Sequence, residues 1–333
     1  MPNVVPLGRS GLKVSTICLG TMNFGNEQWG CDEATSAKII DAYLGAGHNF
    51  VDTANVYAGG RSEEIVGRAI AARRDDVVLA TKGFNPNGPG PNDWGNTRVN
   101  LTRSLEASLR RLGTDYVDLY QCHAWDPTTP LEETMAALDD FVRAGKVRYI
   151  GCSNWLASRI AEAQGIADRT GGTRLVSLQP QYSLIVRDIE IDILPTAKRH
   201  GLGVIVWSPL GGGLLTGKHS RDKAADDSRF GKVNEGDIWE LLKRSLFTDR
   251  NFDIVDKVGE IAASLGTTHT SVAVAWTLAQ DGVTSAIIGP RTVEQLEDNL
   301  VAAELTLSDE ILKDLDRTSR TPLTYAGFLQ RGR

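Results

Sequence analysis

Four residues of this 333-residue chain stand where side chains could do proton chemistry. Asp52 closes the apolar run "HNFVDTA" (48–54), and Tyr57 follows five residues later in a loop of Ala, Asn and Gly. Lys82 ends "VVLATKG" (77–83), and His123 ends "DYVDLYQCH" (115–123). An aspartate at the end of a buried strand is costly unless a cation meets it. Lys82, on the next strand, is the expected cation. One Asp–Lys pair alone reads as a strand-end salt bridge. A tyrosine and a histidine added at such places point instead to catalysis. A phenol titrates near about 10, too high for easy proton transfer at neutral pH. A neighbouring ammonium lowers that value, and a histidine can bind or relay to the same oxygen. The set would act as a general acid on a carbonyl oxygen that becomes an alcohol.

Such residues need a scaffold that brings strand ends to one face. Short apolar runs alternate with longer amphipathic stretches. The runs are 15–21, 48–54, 77–83, 115–123, 147–154, 174–182, 203–210 and 285–290. Helical patterns follow them at 32–46 (Asp32 as N-cap), 62–73 (Ser62 as cap), 97–112 and 131–145, then to about 167, near 200 and at 292–300. Eight β-then-α units with continuous apolar strands favour a closed parallel (β/α)8 barrel, a TIM barrel, over an open doubly wound sheet. The chain is expected to form a single domain. The opening "VVPLGRSGLKVS" suits a β-hairpin that covers the N-terminal end of the barrel. Long irregular stretches at 84–96 and 211–250 suit loops of the functional, C-terminal face. The tail carries a helical stretch from about Ser308, then a mixture of Pro, Tyr, Gly and Phe.

Composition is that of a globular protein, with a net charge of −6 that weighs against nucleic acid or an anionic membrane as partner. There is no apolar run near 18 residues, and the first residues lack the order of a signal peptide. Four cysteines, Cys18, Cys31, Cys122 and Cys152, show no CxxC spacing. Reduced thiols and a cytoplasmic location are expected. No metal site is indicated.

"FVDTANVYAGGRSEEIVGRAI", "LATKG", "DLYQCH" and "GKVRYIGCSN" together resemble the aldo-keto reductase superfamily. The resemblance runs from "GLKVSTICLGT" to "GPRTVEQLEDNL". It implies that Asp52, Tyr57, Lys82 and His123 form a catalytic tetrad, with Tyr57 as proton donor and a nicotinamide cofactor as hydride source. There is no GxGxxG at the head of a βαβ unit, so a Rossmann site is not indicated.

The resemblance also implies a cofactor lying across the barrel mouth. Gly20, Thr21, Met22 and Asp52 would border it. Ser153, Asn154 and Gln179 would hold a carboxamide, and Trp207 would stack on the nicotinamide ring. Tryptophan at that place is similar to the branch that includes potassium-channel β subunits and several bacterial reductases. Ser208, Pro209, Leu210, Gly211, Gly213 and Lys218 would form a glycine-rich loop over the pyrophosphate. Residues 212–219, "GGLLTGKH", match a phosphate loop at every position but the last, where His219 replaces the metal-binding hydroxyl. Without an acidic partner strand this does not support an NTPase. Arg291 would pair with a 2′-phosphate, favouring NADPH over NADH, with Gln295, Asp298 and Asn299 toward the adenine. Gly289 and Gln295 stand where the family often has lysine and arginine. Phe24, Trp29, Phe84, Trp94 and Trp125 would line a pocket for an apolar or ring-shaped carbonyl or alcohol substrate. The function expected is a reversible aldehyde or ketone reductase. The alternative is a regulatory protein that keeps the fold and a bound cofactor.

Overall fold

The computed structural model of the protein describes residues 3–226, 228–232 and 238–321. Along the chain come β1 (Val4–Pro6), β2 (Lys13–Ser15), β3 (Ile17–Gly20), α1 (Glu33–Gly45), β4 (Phe50–Asp52), α2 (Arg61–Ile70) and β5 (Val78–Gly83). Then follow α3 (Arg98–Leu112), β6 (Val117–Cys122), α4 (Leu131–Arg143), β7 (Val147–Ser153), α5 (Ala157–Thr170), β8 (Leu175–Gln179), α6 (Ile193–His200) and β9 (Gly203–Val206). The last are α7 (Ile238–Leu246), α8 (Asp249–Leu265), α9 (His269–Leu278), β10 (Val283–Ile288), α10 (Val293–Val301) and α11 (Asp309–Ser319).

Strands β3 to β10 close into a parallel eight-stranded barrel in chain order, with β10 returning to pair with β3. This is the (β/α)8 barrel that the eight apolar runs predict. β1 and β2 form the expected antiparallel hairpin. Its Leu7 and Val14 pack with Cys18, Phe50, Ala80, Leu119 and Ile205, so the hairpin plugs the barrel's lower end with apolar side chains.

Strand periodicity explains the upper end. Side chains two apart share a face. Phe50, Ala80 and Leu119 point into the barrel, so Asp52, Lys82 and Gln121 must too, one layer higher. The register places Asp52 opposite Ala80, and Lys82 opposite Gln121. The alternate residues Val51, Leu79 and Tyr120 join the larger core between barrel and helices. The interior charges and amides, Asp52, Lys82, Gln121 and Gln179, thus gather toward the strand C-termini, where chemistry sits on this fold.

Helix starts follow their caps. Asp32 accepts from Thr35 N, and Thr97, Thr248, Thr268, Thr292 and Ser308 cap their helices likewise. Ser62 does not cap α2. It lies inside the helix, fully buried, and its hydroxyl donates to the Thr21 carbonyl. Helix α7 falls inside the 211–250 stretch expected to be irregular, and α8 and α9 follow it where the sequence pattern predicts no element. α9 is buried on nearly every side, so it carries no amphipathic stripe. The 84–96 stretch is a loop, pinned by Gly95 N to Phe84 O (2.8 Å) and Asn87 N to Asp93 O (2.8 Å). The Pro, Tyr, Gly and Phe mixture of the tail lies outside the described residues.

Candidate active site

The mouth of the barrel opens into a cavity of about 540 Å³. Asp52, Tyr57 and His123 line it. Lys82 lies behind them, fully buried. Its Nζ donates to Asp52 Oδ2 (2.5 Å), to Thr53 O (2.8 Å) and to the Tyr57 hydroxyl (3.1 Å). Asp52 Oδ1 accepts from Gln179 Nε2 at 2.9 Å. Both carboxylate oxygens are therefore satisfied inside the barrel, as a buried charge requires.

A tight turn delivers Tyr57. Asn55 N bonds Lys82 O (3.2 Å), tying the loop to the end of β5. The chain then reverses through Ala58 (φ 48°), Gly59 (φ 65°) and Gly60 (φ 98°). At φ 98° any side chain on residue 60 would be strained, and a Cβ would also press on Arg111 Cδ and Nε at 2.8 Å, so glycine is favoured there. Arg111 in turn pairs with the wholly buried Glu63, which also accepts from Thr81 on β5 (2.6 Å). These contacts fix α2, and the turn before it, against the strand that bears Lys82.

The charges settle one another. Burial would discharge Lys82, but Asp52 and Tyr57 outweigh it and raise the ammonium's pKa. Burial raises the Tyr57 pKa more than Lys82 lowers it. This corrects the expectation of a net lowering: the phenol stays protonated, and Lys82 limits the rise. Burial, then the Lys82 charge, push His123 down to about 3. Its ring meets Tyr57 edge-on at 5.9 Å between centroids.

Gly20, Met22, Ser153, Asn154, Gln179, Trp207, Ser208, Pro209, Leu210, Gly213, Lys218, Gly289, Arg291, Gln295, Asp298 and Asn299 all border the same cavity. Asn154 Oδ1 accepts from Trp207 Nε1 (3.0 Å), while its Nδ2 donates to His123 O and Ser153 Oγ (3.0 Å each). Asn154 (φ 58°) and Ser208 (φ 56°) are left-handed non-glycine residues at strand ends, a strained geometry that tends to gather at functional sites. Ser208 Oγ accepts from Gly212 N (2.7 Å) and shapes the glycine loop, where Gly212 and Gly213 have positive φ. Gln295 Oε1 accepts from Arg291 N (2.9 Å), so the chain itself satisfies one amide at the start of α10.

Several expectations need correction. Thr21 does not border the cavity. It is fully buried, and its hydroxyl donates to Asp52 O (3.1 Å). Gly211 is buried against Ile185. Phe24 belongs to the main core. Phe84 and Trp94 pack edge-on with each other (5.6 Å), and Trp125 with Trp155 (5.2 Å), and none of these is among the residues that line the cavity. Of the five aromatics, Trp29 reaches the wall, beneath the Arg229 guanidinium at 4.2 Å. Sequence reasoning missed Asn23, Arg229, Gln121 and Asn85. Gln121 was discoverable from strand periodicity; Arg229 lies in an irregular stretch with no period to read. Among the described residues no group of three His, Cys, Asp or Glu could hold a metal ion. No described helix is long and apolar enough to cross a membrane.

The barrel, its hairpin and this cavity define a scaffold for chemistry at strand C-termini, and comparison with known proteins gives the class. The Aldo/keto reductase family model matches residues 16–320. The chain belongs to that family. It is 41% identical to an uncharacterized oxidoreductase, YrpG, of Bacillus subtilis, over 96% of this chain and 98% of that protein. It is 40% identical to a probable voltage-gated potassium channel subunit beta of Arabidopsis thaliana, over 90% of each chain. It is 37% identical to norsolorinic acid reductase of Aspergillus flavus, over 92% of this chain and 78% of that one. Family and relatives support a carbonyl-reducing oxidoreductase.

Proposed function

We propose that this chain, as a single barrel domain, reduces aldehydes or ketones to alcohols reversibly, with NADPH preferred over NADH. The observation that carries the reading is the 3.1 Å approach of Lys82 Nζ to the Tyr57 hydroxyl at a cavity wall.

The residues fit a nicotinamide dinucleotide. The cavity volume is that of a small-molecule site. Trp207 offers a flat wall whose ring is oriented by Asn154. Gln179 spends its Nε2 on Asp52, and its Oε1 accepts no hydrogen bond among the described residues, which leaves it for a carboxamide. The glycine loop exposes backbone without Cβ atoms, and Lys218, Arg229 and Arg291 bring cations to the same wall. When bound, the nicotinamide supplies the hydride.

Tyr57 supplies the proton. Its phenol is held neutral by burial, so it has a proton to give. The phenolate left behind faces the Lys82 ammonium. Asp52 keeps that ammonium charged, and Gln179 keeps Asp52 in place. His123 is neutral well below pH 7, so an imidazolium is not the acid; the ring can only hydrogen-bond the carbonyl oxygen. Trp29 and His123 place rings on the cavity wall beside Tyr57, which suits an apolar carbonyl compound. The four free cysteines fit a reducing, cytoplasmic setting.

The test is NADPH consumption across a panel of aldehydes and ketones, repeated with NADH. Consumption with several carbonyls supports the reading; none with either cofactor overturns it. The relatives named as potassium channel subunits favour one second reading, a cofactor-holding regulator. Stable cofactor binding without turnover, with a protein partner captured from cells, would favour that one.

A further inference from the structure

A neutral imidazole carries one N–H. Which nitrogen holds it decides whether the ring donates or accepts toward the cavity. His123 is such a ring, and Asn85 is the residue at its far nitrogen: Asn85 Nδ2 lies 3.1 Å from His123 Nδ1.

Both partners are clamped by the backbone. Asn85 sits three residues after Lys82, and its carbonyl accepts from Asn55 Nδ2 (3.3 Å). The neighbouring Phe84 carbonyl accepts from Gly95 N (2.8 Å) and Asn100 Nδ2 (3.1 Å). On the other side His123 N donates to Gly83 O (2.9 Å), and His123 O accepts from Asn154 Nδ2 (3.0 Å). These bonds hold the two backbones beside each other, so the fold itself brings the Asn85 amide to Nδ1. Nε2 makes no hydrogen bond with a described residue, and His123 lines the cavity.

We propose that Asn85 is a positioning residue that donates to Nδ1 and thereby fixes His123 as the Nε2–H tautomer, turning a hydrogen-bond donor toward the cavity. The low His123 pKa agrees, since it leaves a single ring proton to place. Resting on the carbonyl-reduction reading, the consequence is that Nε2–H and the Tyr57 hydroxyl meet one substrate oxygen together. Reversing the Asn85 amide would reverse the tautomer and present a lone pair to that oxygen, which would repel it.

The direct test is nitrogen-15 NMR of the full-length chain without substrate. It reads the ring nitrogens of its five histidines, with His123 assigned from the signals lost in His123→Asn. The expected result is a pyridine-type Nδ1 and a pyrrole-type Nε2. A pyrrole-type Nδ1 in the parent protein overturns the proposal whatever the variants do. Asn85→Asp replaces the donor with an acceptor and should turn Nδ1 pyrrole-type; an unmoved Nδ1 in a folded Asn85→Asp also overturns it. Carbonyl-reduction kcat in Asn85→Asp should fall on the order of 10²-fold, as for loss of one oriented donor, with cofactor affinity unchanged. Because the tautomer is read without turnover, a protein inactive on every carbonyl could still show it. Failure of the activity and failure of the tautomer are therefore separate results.

Discussion

Gln179 donates its side-chain amide to Asp52 Oδ1 across 2.9 Å, opposite the Lys82 ammonium on Oδ2. A residue of the cavity wall thus holds one end of the relay Asp52, Lys82, Tyr57. Gln179→Leu should strip a buried carboxylate of one partner and destabilise the fold by about 1–3 kcal/mol. Urea unfolding measures this; unchanged stability would mean that Oδ1 is satisfied in another way.

Lys82 and Asp52 are both buried, so removing one leaves the other uncompensated. Lys82→Met should cost about 3–5 kcal/mol. Adding Asp52→Asn should recover part of that loss, because the stranded charge is gone. The double-mutant cycle reads the recovery, and simple additivity would contradict the pairing.

Arg111 is expected to matter for the same reason, one layer outward. Its partner Glu63 is wholly enclosed, and the pair supports the turn that carries Tyr57. Arg111→Met should destabilise the fold by about 3–5 kcal/mol. Thermal or denaturant unfolding within experimental error of the parent would show that Glu63 is held by Thr81 alone.

How much of this was readable beforehand divides along physical lines. The eight barrel strands and the hairpin were legible because buried parallel strands are short apolar runs bounded by turn residues. Asp52, Lys82 and His123 stood out because an ionisable residue ending such a run demands a reason. Helix α9 was not legible, since burial all round erases its periodicity. Phe24, Phe84, Trp94 and Trp125 were misplaced because residue type cannot tell whether a loop aromatic faces a cavity or a neighbouring ring. The direction of the Tyr57 shift also escaped, because only the fold shows how deeply the hydroxyl is buried.

His123 gives a stability prediction with a defined sign. Its pKa is pushed down to about 3 in the folded chain, against an unfolded value of about 6.5. The unfolded state therefore takes up the proton first as pH falls. The stability this ring holds is complete above about pH 6.5 and is lost progressively toward pH 3, at up to about 1.4 kcal/mol per pH unit. His123→Asn should flatten the slope of stability against pH in that window. His48, also lowered by burial, is present in both proteins and cancels in the comparison. Equal slopes would mean that His123 titrates normally.

Arg291 is the cation by which NADPH would be distinguished from NADH. Arg291→Ala should weaken NADPH binding by about 1.5–3 kcal/mol, roughly 10- to 150-fold, and leave NADH binding nearly unchanged. Fluorescence titration with both cofactors checks this. An equal loss for both would place the 2′-phosphate elsewhere.

Tyr57→Phe tests whether Tyr57 is the proton donor. The variant keeps the ring and its packing and deletes the acid. The decisive measurement is single-turnover carbonyl reduction with NADPH saturating, in parent and variant, with chemistry shown to be rate-limiting. The expected result is a fall of roughly 10²–10⁴-fold, with NADPH affinity unchanged. Equal single-turnover rates would contradict it and pass the proton to another group.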